Sequence, residues 1–506
     1  MKIFTTEDIR AIDRATIEQE GISARELIER VADGVVNEIS SRWSPNKDTI
    51  VFAGPGNNGA DALAVSRLLI GQGFNPEIFL FNIGGDKLSS ECRECRDDLL
   101  KLDGVRFTEV TDSFNLPELA SSCLVIDGLF GSGLREPLVG GFMTLVRYIN
   151  ESGAKVVSID LPSGMFGDWN RDVINRNIIH ATLTLSLQFP RLAFMMKENA
   201  ELVGEWKVLD IGLSPEAIHS TKTDFQIVDT AGVRMLLKPR NKFCSKADFG
   251  NLMIVAGQYG MMGAAQMCAH GASRSGVGKL TVHTAGYGFD IIQSQVPEAF
   301  FEPDKSDTIV TEIRPVHAYS AFAAGPGIGT ADQTINALDT FLRTQATVPI
   351  VLDADALNCI SMRRTMLNNL PQRTILTPHA AEFDRLFGTH ATDEERLLTA
   401  IKVAEDYDLL ILLKGHYTAL VRPDGKIYFN STGTPALATP GSGDVLTGVI
   451  GSFLAQGYKP EIAPLLGAFI HGLAGEIAAE ENGEYGVTAG DIAACIGKAI
   501  RRIMGR

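Results

Sequence analysis

A single acidic residue within a run of small residues is the most chemically informative feature of the sequence. The run GTPALATPGSGDVLTG, residues 433–448, places Asp444 just before an apolar stretch that is typical of a helix. Its Gly-Ser-Gly approach leaves backbone N–H groups uncovered at the helix N-terminus, where they and the helix dipole can hold a phosphoryl group. A carboxylate beside phosphate is unfavourable unless it accepts a proton from an attacking hydroxyl or helps to hold a metal ion. The run therefore indicates phosphoryl transfer to an alcohol, with helix capping by Asp444 as the alternative.

Three polar residues lie where apolar, β-rich runs end in the first part of the chain. Asn58 belongs to the turn in VFAGPGNNGAD, residues 51–61, and Asp127 and Asp160 each end a further apolar run. Because the carboxyl ends of parallel strands meet at one edge of a sheet, we expect these side chains to converge. An amide oxygen, a carboxylate and a hydroxyl can coordinate a hard cation and leave the other carboxylate free for proton transfer. Capping is the alternative for each aspartate alone.

The second half of the chain has glycine turns and isolated charged residues at strand ends. GQYGMMGAA at residues 257–265 and AGPGIG at residues 324–329 each follow a predicted strand, and glycine turns of this kind have many uses. VLDADALN at residues 351–358 ends a strand with two aspartates, one of which we expect to cap a helix. Lys414 ends another strand, where it is either exposed or bound to a nucleotide phosphate. His379 precedes an acidic helix start, so packing, capping and catalysis all stay open for it.

Length and charge limit the classes of protein to which the chain can belong. With 506 residues it is too long for one core, and its 45% hydrophobic and 21% charged content is that of an ordinary globular protein. The net charge of −15 argues against nucleic acid or an anionic membrane as a partner. Anionic ligands therefore need local sites.

Seven cysteines spread over the chain do not form a disulfide framework. Cys92 and Cys95 form a CxxC pair in a charged stretch that favours an exposed helix, without a second pair for a metal site. The N-terminus has no apolar signal region, and no run of about 18 apolar residues occurs. We expect a cytoplasmic protein.

The elements that position these residues alternate between two periods. After helical spacing over residues 5–40, β-rich runs alternate with helical stretches, which predicts a doubly wound parallel sheet. The polar segment that follows Asp210 favours a linker, and a second alternating series begins near Leu252. Pro423-Asp424-Gly425 predicts a hairpin turn. We expect an α/β chain with domains at residues 1–215 and 225–506.

The strand-end motifs of the first part resemble the epimerase domain of bifunctional NAD(P)H-hydrate repair enzymes, over roughly residues 5–210. The resemblance implies a Rossmann-like fold, K⁺ held by Asn58, Asp127 and Ser163, and Asp160 as a ligand contact and acid/base candidate. The implied contacts to the hydrated dinucleotide are Asn57, Asn58, Gly59, Ala60, Asp61, Gly131, Ser132, Gly133, Leu134, Arg135, Glu136 and Pro137. The chain has Ala60 and Ala62 where the family usually has glycine, and each methyl group should narrow this loop.

Three motifs of the second part, TPHAAEFDRL, LLKGHYTAL and GTPALATPGSGDVLTG, resemble the ADP-dependent NAD(P)HX dehydratases of the ribokinase-like fold, over about residues 225–500. The resemblance implies phosphorylation of the ring hydroxyl by ADP or ATP with Mg²⁺, and then phosphate elimination. Asp444 would be the base. The implied hydrate contacts are Ala264, Gly327, His379 and Asp444, and the implied nucleotide contacts are Lys414, Gly415, His416, Tyr417, Thr418 and Gly443. Ala380-Ala381 departs from the family pattern.

Two other interpretations follow from the same residues. The shared fold also suits a small-molecule kinase that acts on a pyrimidine alcohol or a sugar. The first domain could be a binding or scaffold module that has lost catalysis, an idea motivated by the alanines beside Asn58. Small residues in the C-terminal helices, such as Gly467 and Gly472, make a homo-oligomer plausible.

Overall fold

The computed structural model describes residues 1–85, 87–170, 177–344 and 348–505. It contains two compact units, the first unit from Lys2 to Thr223 and the second unit from Asp224 to Arg506. Each unit combines helices with a mostly parallel sheet, so the predicted α/β class is confirmed. None of the helices in the described residues has the length and apolar character needed to cross a bilayer.

The first unit begins with two helices and continues as alternating strands and helices. Its elements are β1 (Lys2–Ile3), α1 (Thr6–Glu20), α2 (Ala24–Arg42), β2 (Thr49–Ala53), α3 (Asn57–Gly71), β3 (Glu77–Phe81), α4 (Ser90–Leu99), β4 (Arg106–Val110), β5 (Leu124–Gly128), α5 (Gly140–Glu151), β6 (Lys155–Ile159), β7 (Leu183–Leu187), α6 (Ala200–Val203), β8 (Glu205–Leu209) and α7 (Pro215–Ser220).

The sheet of the first unit is parallel, in the order β4-β3-β2-β5-β6-β7-β8. Its two faces carry different side chains of the same strands. Val51 packs in a core with α1, α2, α3 and α4, whereas Phe52 packs in a core with α5. The order in which successive strands are added reverses between β2 and β5, and ligands bind at such switch points in open α/β sheets.

The CxxC pair lies on α4, as expected, but the prediction that this helix is exposed at the cysteines is wrong. Cys92 and Cys95 are 0% and 1% exposed and belong to the core beneath α3. Burial raises the pKa of each thiol to about 12. All seven cysteines are free thiols. The charges of this helix alternate with a buried stripe, and composition alone hides that stripe.

The segment after Asp210, predicted to be a linker, is instead folded. Ser214 caps α7, and Leu213 and Ala217 are buried in the core of the first unit. Residues Phe225–Val228 form the first strand of the second unit. Leu213 and Ala217, apolar residues at a four-residue spacing, produce this packing, although polar residues and proline surround them in the sequence.

The second unit contains ten strands and ten α-helices among the described residues. They are β9 (Phe225–Val228), α8 (Thr230–Leu236), β10 (Asn251–Val255), α9 (Met262–Arg274), β11 (Lys279–Thr284), α10 (Phe289–Gln295), β12 (Phe300–Pro303), β13 (Ala321–Ala324), α11 (Asp332–Thr344), β14 (Ile350–Leu352), α12 (Asp355–Met362), β15 (Ile375–Leu376), α13 (Ala380–Phe387), α14 (Asp393–Tyr407), β16 (Leu410–Leu413), β17 (Ala419–Val421), β18 (Ile427–Asn430), α15 (Ser442–Ala455), α16 (Ala463–Asn482) and α17 (Ala489–Ile503).

The strands of the second unit follow the order β9-β18-β17-β16-β15-β14-β13-β10-β11-β12. Pairing is parallel from β16 through β12, and β17 and β18 form the predicted hairpin, with Val421 opposite Ile427. The switch point lies between β10 and β13. Ala323 packs in the core with α9, α15 and α16, while its neighbour Phe322 contacts Phe341 of α11, with ring centroids 5.0 Å apart.

Helices α9 and α15 cross at very short range through two glycines. A Cβ atom on Gly448 would lie 1.9 Å from the carbonyl oxygen of Cys268, and one on Gly271 would lie 2.2 Å from that of Val445. In α16, Gly467 and Gly472 face Ile450 and Thr432 of the same unit. These small residues are thus used within the unit and give no support to self-association.

The crossing predicts opposite effects for two glycine substitutions in helices. Gly448→Ala should destabilise the protein by about 1–3 kcal/mol, because α15 must move away from α9. Gly497→Ala is the matched control, since nothing lies within 4 Å of its added Cβ in α17, and it should stabilise by about 0.5–1 kcal/mol. Thermal unfolding of both variants tests this, and equal stability of Gly448→Ala and the parent chain would contradict the close crossing.

Candidate active sites

The first unit has a cavity of about 590 Å³ at the switch point between β2 and β5. The turn after β2, the turn after β5 and the end of β6 supply polar groups to its wall, and α1 and α2 supply the opposite wall. The predicted residues that line this cavity are Asn57, Asn58, Asp61, Gly131, Ser132, Gly133, Leu134 and Asp160.

Asp127 anchors the loops around this cavity through its buried carboxylate. One oxygen accepts from Ser163 Oγ at 2.5 Å, and the other accepts from Ser158 Oγ at 2.8 Å and from Ser163 N at 2.9 Å. Burial raises the pKa of Asp127, although the serine hydrogen bonds oppose that effect. Ser163 Oγ also accepts from Phe130 N at 2.9 Å. Asp127 therefore ties the end of β5 to the loop after β6.

Asn58 lies beside the loop after β5. A Cβ atom on Gly131 would be 3.1 Å from Asn58 Oδ1 and 3.0 Å from Asp160 Oδ2, so the loop after β5 packs directly on both side chains. Within the described residues, Asn58 Nδ2 is buried without a hydrogen-bond partner. Amide nitrogen and oxygen can exchange places by rotation of the side chain, so this position suits an amide oxygen that binds a cation.

Asp160 is held in an unusual backbone conformation, with φ of 67°. Its Oδ2 accepts from Ser132 N at 3.0 Å, and its Oδ1 accepts from Nη2 of Arg191. Both Asp160 and Arg191 are buried, at 4% and 2% exposure. A non-glycine residue with positive φ is strained, and such strain is characteristic of functional sites.

Two further carboxylates face the cavity. Burial raises the pKa of Asp13 in α1 to about 6, and the charge of Asp160 adds to this rise while that of Arg191 opposes it. Burial also raises the pKa of Asp61, with further contributions from Asp160 and Asp13. The site therefore combines three carboxylates with one buried guanidinium, an arrangement suited to proton transfer.

Other predicted contacts of the first site lie elsewhere. Gly59 and Ala60 are buried in the first turn of α3 and do not line the cavity, because that turn packs against Gly54. Arg135 lines an adjoining cavity of about 260 Å³. Glu136 is exposed and Pro137 is half-buried. The roles implied for these residues stay predictions.

The second site is built at the N-terminus of α15. Gly441 precedes the helix with φ of 88°, no side chain caps it, and the first intrahelical bond runs from Val445 N to Gly441 O. The N–H groups of Gly443 and Asp444 therefore precede the hydrogen-bond ladder. Asp444 is half-buried. Below the turn, Nε2 of buried His471 lies 3.0 Å from Ser442 O, and burial lowers its pKa to about 4.

Lys414 brings several strand ends of the second unit together. Its Nζ donates to Asp353 Oδ1 at 2.9 Å and lies 3.7 Å from Glu382 Oε2. It would also lie 3.5 Å from a Cβ atom on Gly443. The other oxygen of Asp353 accepts from Thr447 Oγ1 at 2.6 Å. This network joins β14, β16, α13 and α15.

The charges of the network act on one another. Burial raises the pKa of Asp444 to about 7, the Asp353 carboxylate adds to the rise, and the Lys414 ammonium opposes it. Burial acts to lower the pKa of Lys414, but the carboxylates of Asp353 and Glu382 hold it above its ordinary value. Asp444 thus titrates close to neutrality, as a general base requires.

The predicted hydrate contacts Ala264 and Gly327 are neighbours. A Cβ atom on Gly327, which has φ of 64°, would lie 3.0 Å from Ala264 Cβ. Gly257 N donates to Pro326 O at 2.8 Å, so the loops after β10 and β13 are joined at the switch point. Gly441, at the start of α15, packs near Met267 of α9. Ala264 and Met267 both belong to α9, so the helix that carries Ala264 packs beside the turn that precedes Asp444.

His379 caps α13. Its Nδ1 accepts from Ala381 N at 3.1 Å and from Glu382 N at 3.3 Å, while Glu382 accepts from His379 N at 2.8 Å. The backbone of His379 also forms an isolated parallel β-bridge with that of Lys414, just beyond the ends of β15 and β16. Ala380 and Ala381 are ordinary first-turn residues of the helix. The capping interpretation of His379 is confirmed. Its imidazole is exposed and lies next to Lys414 of the site.

The predicted nucleotide segment leads from β16 into the hairpin. Gly415 and His416 are exposed, and Thr418 Oγ1 donates to Gly415 O at 3.0 Å to close the turn. The rings of His416 and Tyr417 have centroids 4.5 Å apart. The segment is accessible next to Lys414, and its nucleotide contacts stay a prediction.

Sequence reasoning missed several members of both sites. Asp13 lies in ordinary polar surroundings, whereas Arg191 stands alone in the apolar run FPRLAFMM, residues 189–196, which was the available signal that it is buried. Only the fold brings both residues to the cavity. One of Asp353 and Asp355 was expected to cap a helix, but neither side chain caps α12. Asp355 is the first residue of that helix and its Oδ2 accepts from Gly329 N, in the loop after β13, at 2.9 Å. The available signal for Asp353 was its position directly after an apolar strand, where a carboxylate becomes buried and needs partners.

Comparison with known proteins gives matches over both units. Residues 24–193 match the family described as the N-terminus of YjeF-related proteins, and residues 252–498 match the family described as NAD(P)H-hydrate dehydratase. The bifunctional NAD(P)H-hydrate repair enzyme Nnr of Moorella thermoacetica is 31% identical, covering 97% of this chain and 95% of its own. The enzyme of the same name from Thermofilum pendens is 31% identical, covering 99% and 97%.

A solved structure is similar to part of the chain. The ADP/ATP-dependent NAD(P)H-hydrate dehydratase of Bacillus subtilis, co-crystallised with ATP and Mg²⁺, is 30% identical and covers 55% of this chain and 98% of its own, with a TM-score of 0.49.

The raised pKa of Asp444 predicts that its removal stabilises the protein. Below the unfolded pKa of 3.8 both states hold the proton, so Asp444→Asn should change little. As the pH rises toward 7, the unfolded chain releases its proton before the folded chain, and the ionised carboxylate increasingly destabilises the folded state. The full shift corresponds to about 4 kcal/mol, and solvent screening reduces it to roughly 2 kcal/mol at pH 8.

Melting temperatures between pH 4 and pH 8 measure this difference. Asp491→Asn in the first turn of α17 is the contrasting variant, because hydrogen bonds from Thr488 lower the pKa of Asp491. That substitution should destabilise the protein at pH 8. A destabilised Asp444→Asn variant at pH 8 would show that the carboxylate is not held against its preferred charge.

Proposed function

Since the chain belongs to the family of bifunctional NAD(P)H-hydrate repair enzymes, we propose that it restores hydrated NADH and NADPH through its two sites. The first site interconverts the R and S epimers of the hydrate. The second site dehydrates the S epimer with consumption of ADP or ATP. The observation that carries the proposal is the placement of Asp444 beside Lys414 at an uncapped helix N-terminus.

Asp444 supplies the base in the second site. The ring hydroxyl of the hydrate is a poor leaving group, and phosphorylation converts it into a good one. Asp444 accepts the hydroxyl proton, and the N–H groups at the start of α15 stabilise the charge that builds on the phosphoryl group. Elimination of phosphate then restores the double bond. Lys414 keeps the site electrically balanced while carboxylates and phosphates approach each other.

Mg²⁺ and the nucleotide fit this arrangement. Among the described residues no group of three or more His, Cys, Asp or Glu side chains could hold a metal ion. Mg²⁺ bound through nucleotide phosphates and water does not require such a group. It would neutralise the nucleotide phosphates, which we place along Lys414, Gly415, His416, Tyr417, Thr418 and Gly443.

The first site fits K⁺ through its oxygen ligands. The carboxylate of Asp127, the hydroxyl of Ser163 and the carbonyl of Phe130 lie together, with 3.1 Å between Ser163 Oγ and Phe130 O. The buried amide of Asn58 has an unpartnered atom among the described residues. Amide, carboxylate and hydroxyl oxygens suit a hard cation. K⁺ would fix the loops around Asp160, which exchanges the proton during epimerisation.

Asp444→Asn should abolish dehydration and spare epimerisation. Loss of a general base lowers the rate by roughly 100- to 10,000-fold, and the first site does not contain Asp444. The assay mixes both hydrate epimers with ADP or ATP and follows the absorbance of the reduced nicotinamide together with free phosphate. A stable phosphate ester would instead indicate a kinase.

Asp491→Asn controls for the loss of a first-turn carboxylate, because Asp491 only caps α17. It should dehydrate the hydrate at the rate of the parent chain. Unchanged dehydration by Asp444→Asn would refute the assignment of the base.

Exchange of K⁺ for tetramethylammonium should slow epimer exchange, because the larger cation cannot be held by Asn58, Asp127 and Ser163. Ser163→Ala should raise the K⁺ concentration needed for half-maximal rate. Ser186→Ala is the matched control, because Ser186 is a buried serine of β7 that donates to Phe189 O. This variant should leave that concentration unchanged. Equal rates of the parent chain in both salts would exclude a K⁺ site.

A further inference from the structure

Arg191 is a buried cation to which the roles above assign no contact with the ligand. It lines the cavity of the first site, is 2% exposed, and donates from Nη2 to Asp160. Its Nε and Nη1 are buried without a hydrogen-bond partner among the described residues. Buried donors without partners are costly, and a guanidinium cannot relieve the cost by losing its proton. A ligand in this cavity can supply the missing acceptor.

The groups around Arg191 restrict the chemistry of that acceptor. Asp160 is bound to Arg191 itself, and the charges of Asp13 and Asp61 are coupled to that of Asp160. A phosphate beside Arg191 would face these carboxylates, which repel it. A carbonyl oxygen would satisfy Arg191 but offers no proton to Asp160. A hydroxyl group both accepts and donates, so it satisfies the two side chains together.

We propose that Arg191 and Asp160 jointly bind the hydroxyl group on the hydrated ring, which accepts from Arg191 and donates to Asp160. This inference rests on the proposed epimerase function of the first site. The epimers interchange when the hydroxyl proton moves to Asp160, the O–H electron pair forms a C=O bond, and the adjacent ring C–N bond breaks with its electron pair passing to the nitrogen. Ring closure on the opposite face of the carbonyl returns the proton from Asp160. As the proton leaves, negative charge develops on the hydroxyl oxygen. The guanidinium then faces the charge that develops there, so Arg191 contributes to the rate rather than only to affinity.

The same contact orients the whole dinucleotide. With the neutral ring held at Arg191, the phosphates extend toward a different part of the wall. Arg10 and Arg14 project from α1 into the lining, Arg10 donates to Ser132 O at 3.1 Å, and Arg14 is exposed. We assign the phosphates to this arginine-bearing edge, where cations lie in contact with solvent.

Two hydrates test the assignment with the full-length protein. One is the hydrate of NADH, and the other is the hydrate of reduced nicotinamide riboside, which has the ring and ribose without phosphate. Arg191→Lys should lower kcat for epimer exchange on the order of 100-fold with both hydrates, since the loss occurs at the ring. Arg14→Gln should raise KM about fivefold for the NADH hydrate only. Arg147→Gln, an exposed arginine of α5 outside the cavity lining, should change neither constant.

Each alternative gives a different result. A loss in Arg191→Lys confined to the NADH hydrate means that Arg191 holds phosphate, and an unchanged kcat means that it holds nothing in the reaction; either result overturns the proposal. Absence of epimer exchange by the parent chain would refute the epimerase function instead. If Arg191→Lys does not fold, Arg14→Gln still decides the orientation, because an equal rise in KM for both hydrates overturns it. Restoration of Arg191→Ala by millimolar guanidinium would support the role, since a purely structural arginine gives no such rescue.

Discussion

At the carboxyl edge of the sheet in the second unit, the ion pair between Lys414 and Asp353 holds together groups that would otherwise repel one another. Asp353, Glu382 and Asp444 come from three different segments, and a parallel sheet brings all of them to one edge. Without the buried ammonium, three carboxylates at this edge would favour protonation or separation. With it, Asp353 is satisfied on both oxygens by Lys414 and Thr447. Burial and the charge of Asp353 then raise the pKa of Asp444.

The first unit meets the same constraint with different residues. Arg191 takes the place that lysine has in the second unit, since it pairs with Asp160 and its charge opposes the rise in the pKa of Asp13. The pKa of Asp61 is raised by burial and by the charges of Asp160 and Asp13. The difference lies in the donors. A guanidinium can hold one carboxylate and still present the N–H groups of its two other nitrogens to a ligand, whereas an ammonium acts as a compact charge. Proton exchange at a hydroxyl suits the former, and compensation of phosphate charge suits the latter.

Sequence patterns predicted the elements with strong periodicity. The apolar runs that end at Asp127 and Asp160 are strands in one parallel sheet, and the Pro423-Asp424-Gly425 turn joins a hairpin. The strands Arg106–Val110 and Glu205–Leu209 were not predicted, because charged and polar residues at alternate, exposed positions interrupt their apolar pattern. Convergence of turns on a switch point follows from topology, so Asn58 and Asp160 could be grouped in advance. Asp13 could not, because its surroundings in the sequence are those of an ordinary polar helix face. The apolar run FPRLAFMM, residues 189–196, indicates that Arg191 is buried, but no sequence pattern shows that it meets Asp160.

The alanines that depart from the family pattern show why local steric arguments need the fold. Ala60 and Ala62 were expected to narrow the ligand loop, yet both are 0% exposed and belong to the core below α3. Ala62 faces Gly128 at the end of β5, where a second Cβ would lie only 2.4 Å from its own. The methyl group therefore fills space that Gly128 provides on the neighbouring strand. Its cost or benefit falls on the packing of α3 against the sheet, while Asn57, Asn58 and Asp61 keep the cavity wall polar.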